Sequence, residues 1–337
     1  LAHANRDADF SCVEGLNAPV LAALLEQRIR DEQTPVALVV TATNRESERV
    51  MASLASLMPH AGIVEFPAWE TLPHERLSPS AEIVGRRFEA LRQMRAWRSG
   101  QPPLIVVTSV RAALQPVADN LGDVVTLNLV KGSRGHNLTS LAQNLVDLAY
   151  VRVDMVTRRG EFAVRGGILD VFPPTAEHPY RIDFFGDEVD SVREFAVADQ
   201  RSIDGDLDRV ELAPSRELLL TDAVRQRARE MLYEFPSLAN MLEKISEGIA
   251  VEGMESLTPA LVDKLVPVTS YLPAGAVVAL LSPERIATRA INLSETNKEF
   301  LDAAWNAATA GASAPIDLSA GDFLTVSELR ESYTGQR

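Results

Sequence analysis

The chain reads as an α/β protein: an open parallel sheet flanked by helices, with a small antiparallel α+β domain inserted. Three features predict this. Two continuous apolar runs, "PVALVVTA" (35–42) and "LIVVT" (104–108), have the character of parallel strands buried on both faces. Amphipathic stretches of helical length lie between and beside them, the βαβα rhythm of a parallel sheet. At about Asp123 the apolar period drops to near two and turns become frequent, and this lasts to about Pro214.

Each element follows from its residues. Phe10–Val13 is expected as a short first strand with Cys12 buried in it. Pro19–Arg30 places Val20, Leu21, Leu24 and Leu25 at helical spacing. Asn44 is positioned to cap the next helix, which runs to about Met58. Ile63–Phe66 is a strand, Ala81–Arg98 a long amphipathic helix, Leu104–Thr108 a buried strand, and a further helix starts at Arg111. One helix, Leu138–Ala149, interrupts the period-two region. From Ser215 the pattern is helical again, with one buried strand at Ala276–Leu281. The tail is small and polar before a short last helix. The expected boundaries are 1–122, 123–213 and 214–312, with 313–337 as a linker.

Composition narrows the function. With 337 residues, 46% of them apolar, there is material for a core in each of two or three domains. No run of 18 apolar residues proposes a membrane span. The chain begins at Leu1 without a signal pattern, so a cytoplasmic piece of something longer is expected. Cys12 has no disulfide partner, and the five histidines are scattered without ligand spacing, so no metal site is expected. A net charge of −14 repels nucleic acid on average, leaving local basic patches at Arg86–Arg87, Arg92–Arg98 and Arg158–Arg165.

A parallel sheet raises the possibility of nucleotide hydrolysis. That chemistry needs a glycine-rich loop to cradle phosphates, a lysine to neutralise them and a Ser/Thr hydroxyl for Mg²⁺. The turn where they belong, "VEGLNAPVLAAL" (13–24), has one glycine and none of the other groups. The metal-binding acidic pair is missing too: after the 276–281 run comes Ser282-Pro283-Glu284, a helix-start carboxylate. "KGSRG" (131–135) is glycine-rich and basic but completes no phosphate motif, and no nucleophile elbow is present. No catalytic residue, cofactor site or metal ligand is assigned.

Five segments occur in order: "FPAWETLPHERLSPSAEIVGRRFEAL", "PLIVVTSVRAAL", "RRGEFAVRGGILDVFPP", "YRIDFFGDEVDSVREF" and "YLPAGAVVALL". Together they resemble the N-terminal module of the bacterial transcription-repair coupling factors (Mfd), itself similar to the repair helicase UvrB. The resemblance covers residues 10 to 330 and is most specific over Arg158–Phe195. It implies a degenerate, helicase-like (RecA-like) domain 1a, an inserted domain 2 and a domain 1b packing on 1a. It also implies that domain 2 binds UvrA, the damage-sensing ATPase of nucleotide excision repair. RNA polymerase and double-stranded DNA are partners of the full-length factor, an ATP-dependent translocase, through parts outside these residues. In the intact factor the UvrA face is expected to be covered by a C-terminal domain. Two departures separate the chain from UvrB: the phosphate loop is "GLNAPV", and the damage-probing hairpin region, Trp69–Ile83, has no tyrosine for stacking on bases. The competing readings are a UvrB-type ATP-dependent helicase subunit that binds damaged DNA, and a DNA scaffold using Arg86–Arg98.

Period-two geometry sharpens domain 2. In "YRIDFF", Tyr180, Ile182 and Phe184 face one way, Arg181, Asp183 and Phe185 the other. Phe185 is a large aromatic on the polar face, just before a Gly186-Asp187 turn. In "EFAVRGG", Phe162 and Val164 face the core, while Glu161, Ala163 and Arg165 face water, with Arg165 at a Gly166-Gly167 hairpin. Arginine and aromatic side chains dominate interfaces. The resemblance points to Arg165, Arg181 and Phe185 as the UvrA contacts.

Overall fold

The computed structural model describes residues 7–233, 235–309, 315, 318 and 323–334. Its contacts divide the chain into two compact units, 1–72 with 89–123 and 264–337, and 73–88 with 124–263.

The first unit starts with α1 (Asn17–Arg30), β1 (Val36–Thr41), α2 (Asn44–Leu57), β2 (Gly62–Phe66), α3 (Ala81–Ala96, shared in sequence with the second unit), β3 (Leu104–Ser109), α4 (Val110–Ala113) and β4 (Val117–Ala118). Every residue of β1 and β3 is buried, as their apolar runs predict. They pair in parallel at the centre of a four-stranded sheet. Leu21 and Leu25 of α1 and Leu54 of α2 pack with Val39 and Val107. Residues 10–13 form no strand: Phe10, Cys12 and Val13 are exposed, and the Cys12 thiol donates to Asn17 Oδ1 at 3.3 Å. "FSCV" lies between Asp9 and Glu14 and lacks the continuous apolar run that a strand buried on both faces requires. The α2 cap is Thr43, not Asn44. Its hydroxyl accepts from Glu46 N, while the Glu46 carboxylate accepts from Ala42 N at 3.1 Å, a reciprocal cap.

The second unit continues with β5 (Leu127–Val130), α5 (Leu138–Asp147), β6 (Val151–Arg152), β7 (Glu161–Arg165), β8 (Ile168–Val171), β9 (Tyr180–Phe185), β10 (Glu188–Phe195), β11 (Ser202–Asp206), β12 (Arg209–Leu212), α6 (Asp222–Met231), α7 (Ala239–Ser246) and α8 (Thr258–Leu261). Its main sheet has six strands in the order β11-β10-β9-β8-β7-β6, antiparallel except for β6 on β7. One face packs Phe162, Leu169, Val171, Ile182 and Val192 against Leu141 and Leu145 of α5. A bulge in β10 turns both Val189 and Val192 inward although they are three apart.

Residues 214–263, grouped in the sequence reading with the third segment, are held in the second unit. Ser215 N donates to Leu148 O, Ser215 Oγ to Ala149 O, and Arg225 pairs with Asp147. Within this unit the fully buried Arg87 pairs with Glu217. Arg216 lies 3.1 Å from Glu255, whose carboxyl burial pushes above its ordinary range.

The chain then returns to the first unit with β13 (Leu265–Val266), β14 (Val277–Leu280), α9 (Pro283–Thr309) and α10 (Val326–Thr334). β14 pairs with β1 at the sheet edge and is only half-buried, where a fully buried strand was expected. Edge position leaves one side of a strand without a neighbour. Of the expected linker, residues 313–314, 316–317, 319–322 and 335–337 lie outside the described residues. Leu329 of α10 is buried and Leu324 N donates to Leu114 O.

Candidate protein-docking face

The second face of the six-stranded sheet carries the candidate site. Two hairpins reach toward one end of it, β7–β8 through Gly166-Gly167 and β9–β10 through Gly186-Asp187. Gly166 and Gly186 are left-handed, at φ 59° and 65°. Gly167 is required by proximity: a Cβ there would stand 2.9 Å from Phe184 O. Phe184 N in turn donates to Gly167 O at 2.8 Å, locking the two hairpins side by side.

Register then determines which side chains meet. Ala163, Asp170, Arg181 and Arg193 are successive cross-strand partners, and residues directly opposite share a face. Asp170 is 1% exposed, yet it lies among the charged residues of this face. Its Oδ2 accepts from Arg165 Nη2 at 2.8 Å and from Arg181 Nη2 at 2.9 Å, and its Oδ1 accepts from Arg181 Nε at 2.7 Å. Arg181 also donates through Nη1 to Gln200 O and stacks 4.6 Å above the Phe195 ring. Its hydrogen bond to Asp170 raises the guanidinium above its ordinary, already high pKa. Three of its nitrogens are therefore engaged, and its side chain is only 19% exposed. Arg165 differs: one nitrogen meets Asp170, and the side chain is 55% exposed.

The structure thus brings Arg165 and Arg181 together on one carboxylate. Phe185 is one register step beyond Asp183 on the same face and is 82% exposed, a large aromatic turned to solvent. The inward set also agrees with the alternation: Ile182 is fully buried, and Tyr180, Phe184 and Val164 pack at the core margin. Ala163 is the exception to the expected outward, solvated set. It is buried in a second small cluster with Val156, Phe172 and Phe195, because the segment around Val153–Val156 covers that end of the outer face.

Sequence reasoning missed Asp170. The signal was available, since "GILDV" alternates so that Ile168 and Asp170 share a face. A lone aspartate on an outward position reads as solvated until the neighbouring strands supply two arginines in register.

The basic run along α3 is engaged internally. Arg87 pairs with Glu217, Arg92 with Glu89, and Arg95 stacks on Tyr271 at 4.5 Å beside Asp119 and Asp123. Arg98 donates to carbonyls at its own helix end. Among the described residues no group of three or more His, Cys, Asp and Glu could hold a metal ion, and no helix is long and apolar enough to cross a membrane.

Residues 127–218, which contain the candidate face, match the UvrB interaction domain. The transcription-repair-coupling factor of Mycobacterium tuberculosis is 45% identical over 94% of this chain and 27% of its own length. Those of Bacillus subtilis and Escherichia coli are 26% and 30% identical over 86% and 63% of the chain.

The chain is similar to part of the transcription-repair-coupling factors, over a region that contains a UvrB interaction domain.

It spans about a quarter of the length of the curated relatives it matches, 27% of the two mycobacterial proteins. The module's α/β architecture, a parallel sheet and an antiparallel α+β unit, is the one expected of UvrB-like domains.

Proposed function

We propose that this module is a non-catalytic docking unit that recruits UvrA, acting in the cytoplasm as part of a longer coupling factor. That factor engages RNA polymerase and double-stranded DNA, so the module brings UvrA to stalled polymerase in nucleotide excision repair. The observation that carries the reading is Phe185, 82% exposed at a hairpin end on the face where Arg165 is held half-free by a buried carboxylate. Rigid aromatic and arginine side chains of this kind are interface anchors. Phe185 fills an apolar pocket on UvrA, and Arg165 pairs with a carboxylate at its rim. Arg181 acts through Asp170, fixing the direction in which Arg165 points.

Catalysis has little support in these residues. The turn at 13–16 before α1 carries no lysine or hydroxyl side chain. A DNA-scaffold role is disfavoured by the internal partners of the α3 arginines. The test is UvrA binding by the module with Arg165→Ala. A loss of affinity with the fold intact supports the docking reading, and unchanged affinity removes Arg165 from the interface. Millimolar ATP giving a thermal shift would favour the helicase reading instead.

A further inference from the structure

One glycine-rich basic loop, "KGSRG" at 131–135, completes no phosphate motif, and the docking reading does not use it. Its contacts converge on the hairpin that presents Phe185. Gly132 N donates to Val189 O at 2.7 Å, and Val189 N donates back to Ser133 O at 2.9 Å. His136 N donates to Asp187 O at 3.0 Å, and Gly135 N to the Asp187 carboxylate at 3.1 Å. The His136 ring meets the edge of Phe184 with centroids 6.2 Å apart. Four main-chain donors thus tie the loop to Asp187 of the turn and Val189 of β10, and the His136 ring reaches the β9 side.

The loop also delivers a cation. Arg134 Nε donates to Glu188 at 2.8 Å, and Nη2 lies 2.7 Å from the same oxygen. Glu188 is the cross-strand partner of Phe185, so the two side chains share a face. Arg134 is therefore fixed beside Phe185, with its side chain still 74% exposed. Arg165 stands on the β7 side of the same aromatic.

We infer that Arg134 is a further contact residue of the docking face, and that the 131–136 loop positions it. The face is then an exposed aromatic between two anchored guanidiniums. Its occupant is a protein surface with an apolar pocket bordered by carboxylates on both sides, the charge complement of that arrangement. This rests on the docking reading above.

The experiment uses purified UvrA as the probe, titrated against the module and its Arg134→Ala, Glu188→Gln and Phe185→Ala variants, with a thermal melt of each. Arg134→Ala is expected to weaken binding about tenfold, with melting unchanged, and the loss shrinks at high salt. Glu188→Gln separates contact from positioning. If Arg134 touches the partner, releasing it from Glu188 keeps or raises affinity. If Arg134 only steadies the hairpin, Glu188→Gln weakens binding as Arg134→Ala does, and the inference is overturned. Phe185→Ala weakening binding while Arg134→Ala does not overturns the Arg134 role alone. No variant changing affinity overturns the docking reading and this inference together.

Discussion

Replacing Asp170 with alanine removes the carboxylate that both Arg165 and Arg181 hold, and the structure apportions the cost. Arg165 is 55% exposed, so its ion pair falls in the surface range of about 0–1 kcal/mol. Arg181 is 19% exposed and loses two charge-assisted bonds, at 2.7 and 2.9 Å. Breaking a buried pair by removing one partner costs about 3–5 kcal/mol. Arg181 keeps the Gln200 carbonyl, the Phe195 ring and some water, which puts its share at the low end of that range or below. The expected total is about 2–4 kcal/mol, a drop in melting temperature of roughly 5–15 °C for a unit of this size. Thermal or urea unfolding of Asp170→Ala, Arg181→Ala, Arg165→Ala and the double variants reads it directly. The coupling between positions 170 and 181 should be about 1–3 kcal/mol, and that between 170 and 165 below about 1 kcal/mol. An unchanged melt for Asp170→Ala, or a stronger coupling to Arg165 than to Arg181, would refute this account of the face.

Three further outcomes follow from the same structure. Burial pushes the Tyr271 phenol up to about 12, so the folded state favours its neutral form; that contribution is present below the unfolded value and is lost as pH rises through about 12. Tyr271→Phe leaves the Leu121 N–H and Ala118 carbonyl without the hydroxyl, costing about 1–3 kcal/mol at neutral pH, and it flattens the alkaline limb of a stability–pH curve. Gly85→Ala would place a Cβ 2.6 Å from Pro174 Cβ and 2.8 Å from Thr175 Cγ2, so denaturant unfolding should show a loss of about 1–3 kcal/mol. Raising salt should weaken UvrA binding through the Arg165 share of the contact while leaving the Phe185 share, read as a shallow slope in a salt titration.

Much of this arrangement was legible in the chain before its fold. Continuous apolar runs identify β1 and β3 because a doubly covered strand tolerates little else. Alternation assigned the two faces of β9, and with them the exposure of Phe185, because the strand period of two leaves no other choice. What alternation cannot show is what covers the second face. Ala163 and Asp170 occupy outward positions, yet one is buried by the chain around Val153–Val156 and the other by two arginines from neighbouring strands. Both facts depend on long-range register. The strand expected at 10–13 failed for the opposite reason: a four-residue run is too weak a local signal to command a place in a sheet.

The central claim is that an exposed aromatic on a braced sheet face captures UvrA. Titrating UvrA against the module and its Phe185→Ala variant tests it most directly. Phe185 is mostly solvent-exposed, so both proteins should melt alike, while the variant loses about 2–4 kcal/mol of binding. Equal UvrA affinity for the two, with both folded, would contradict the account.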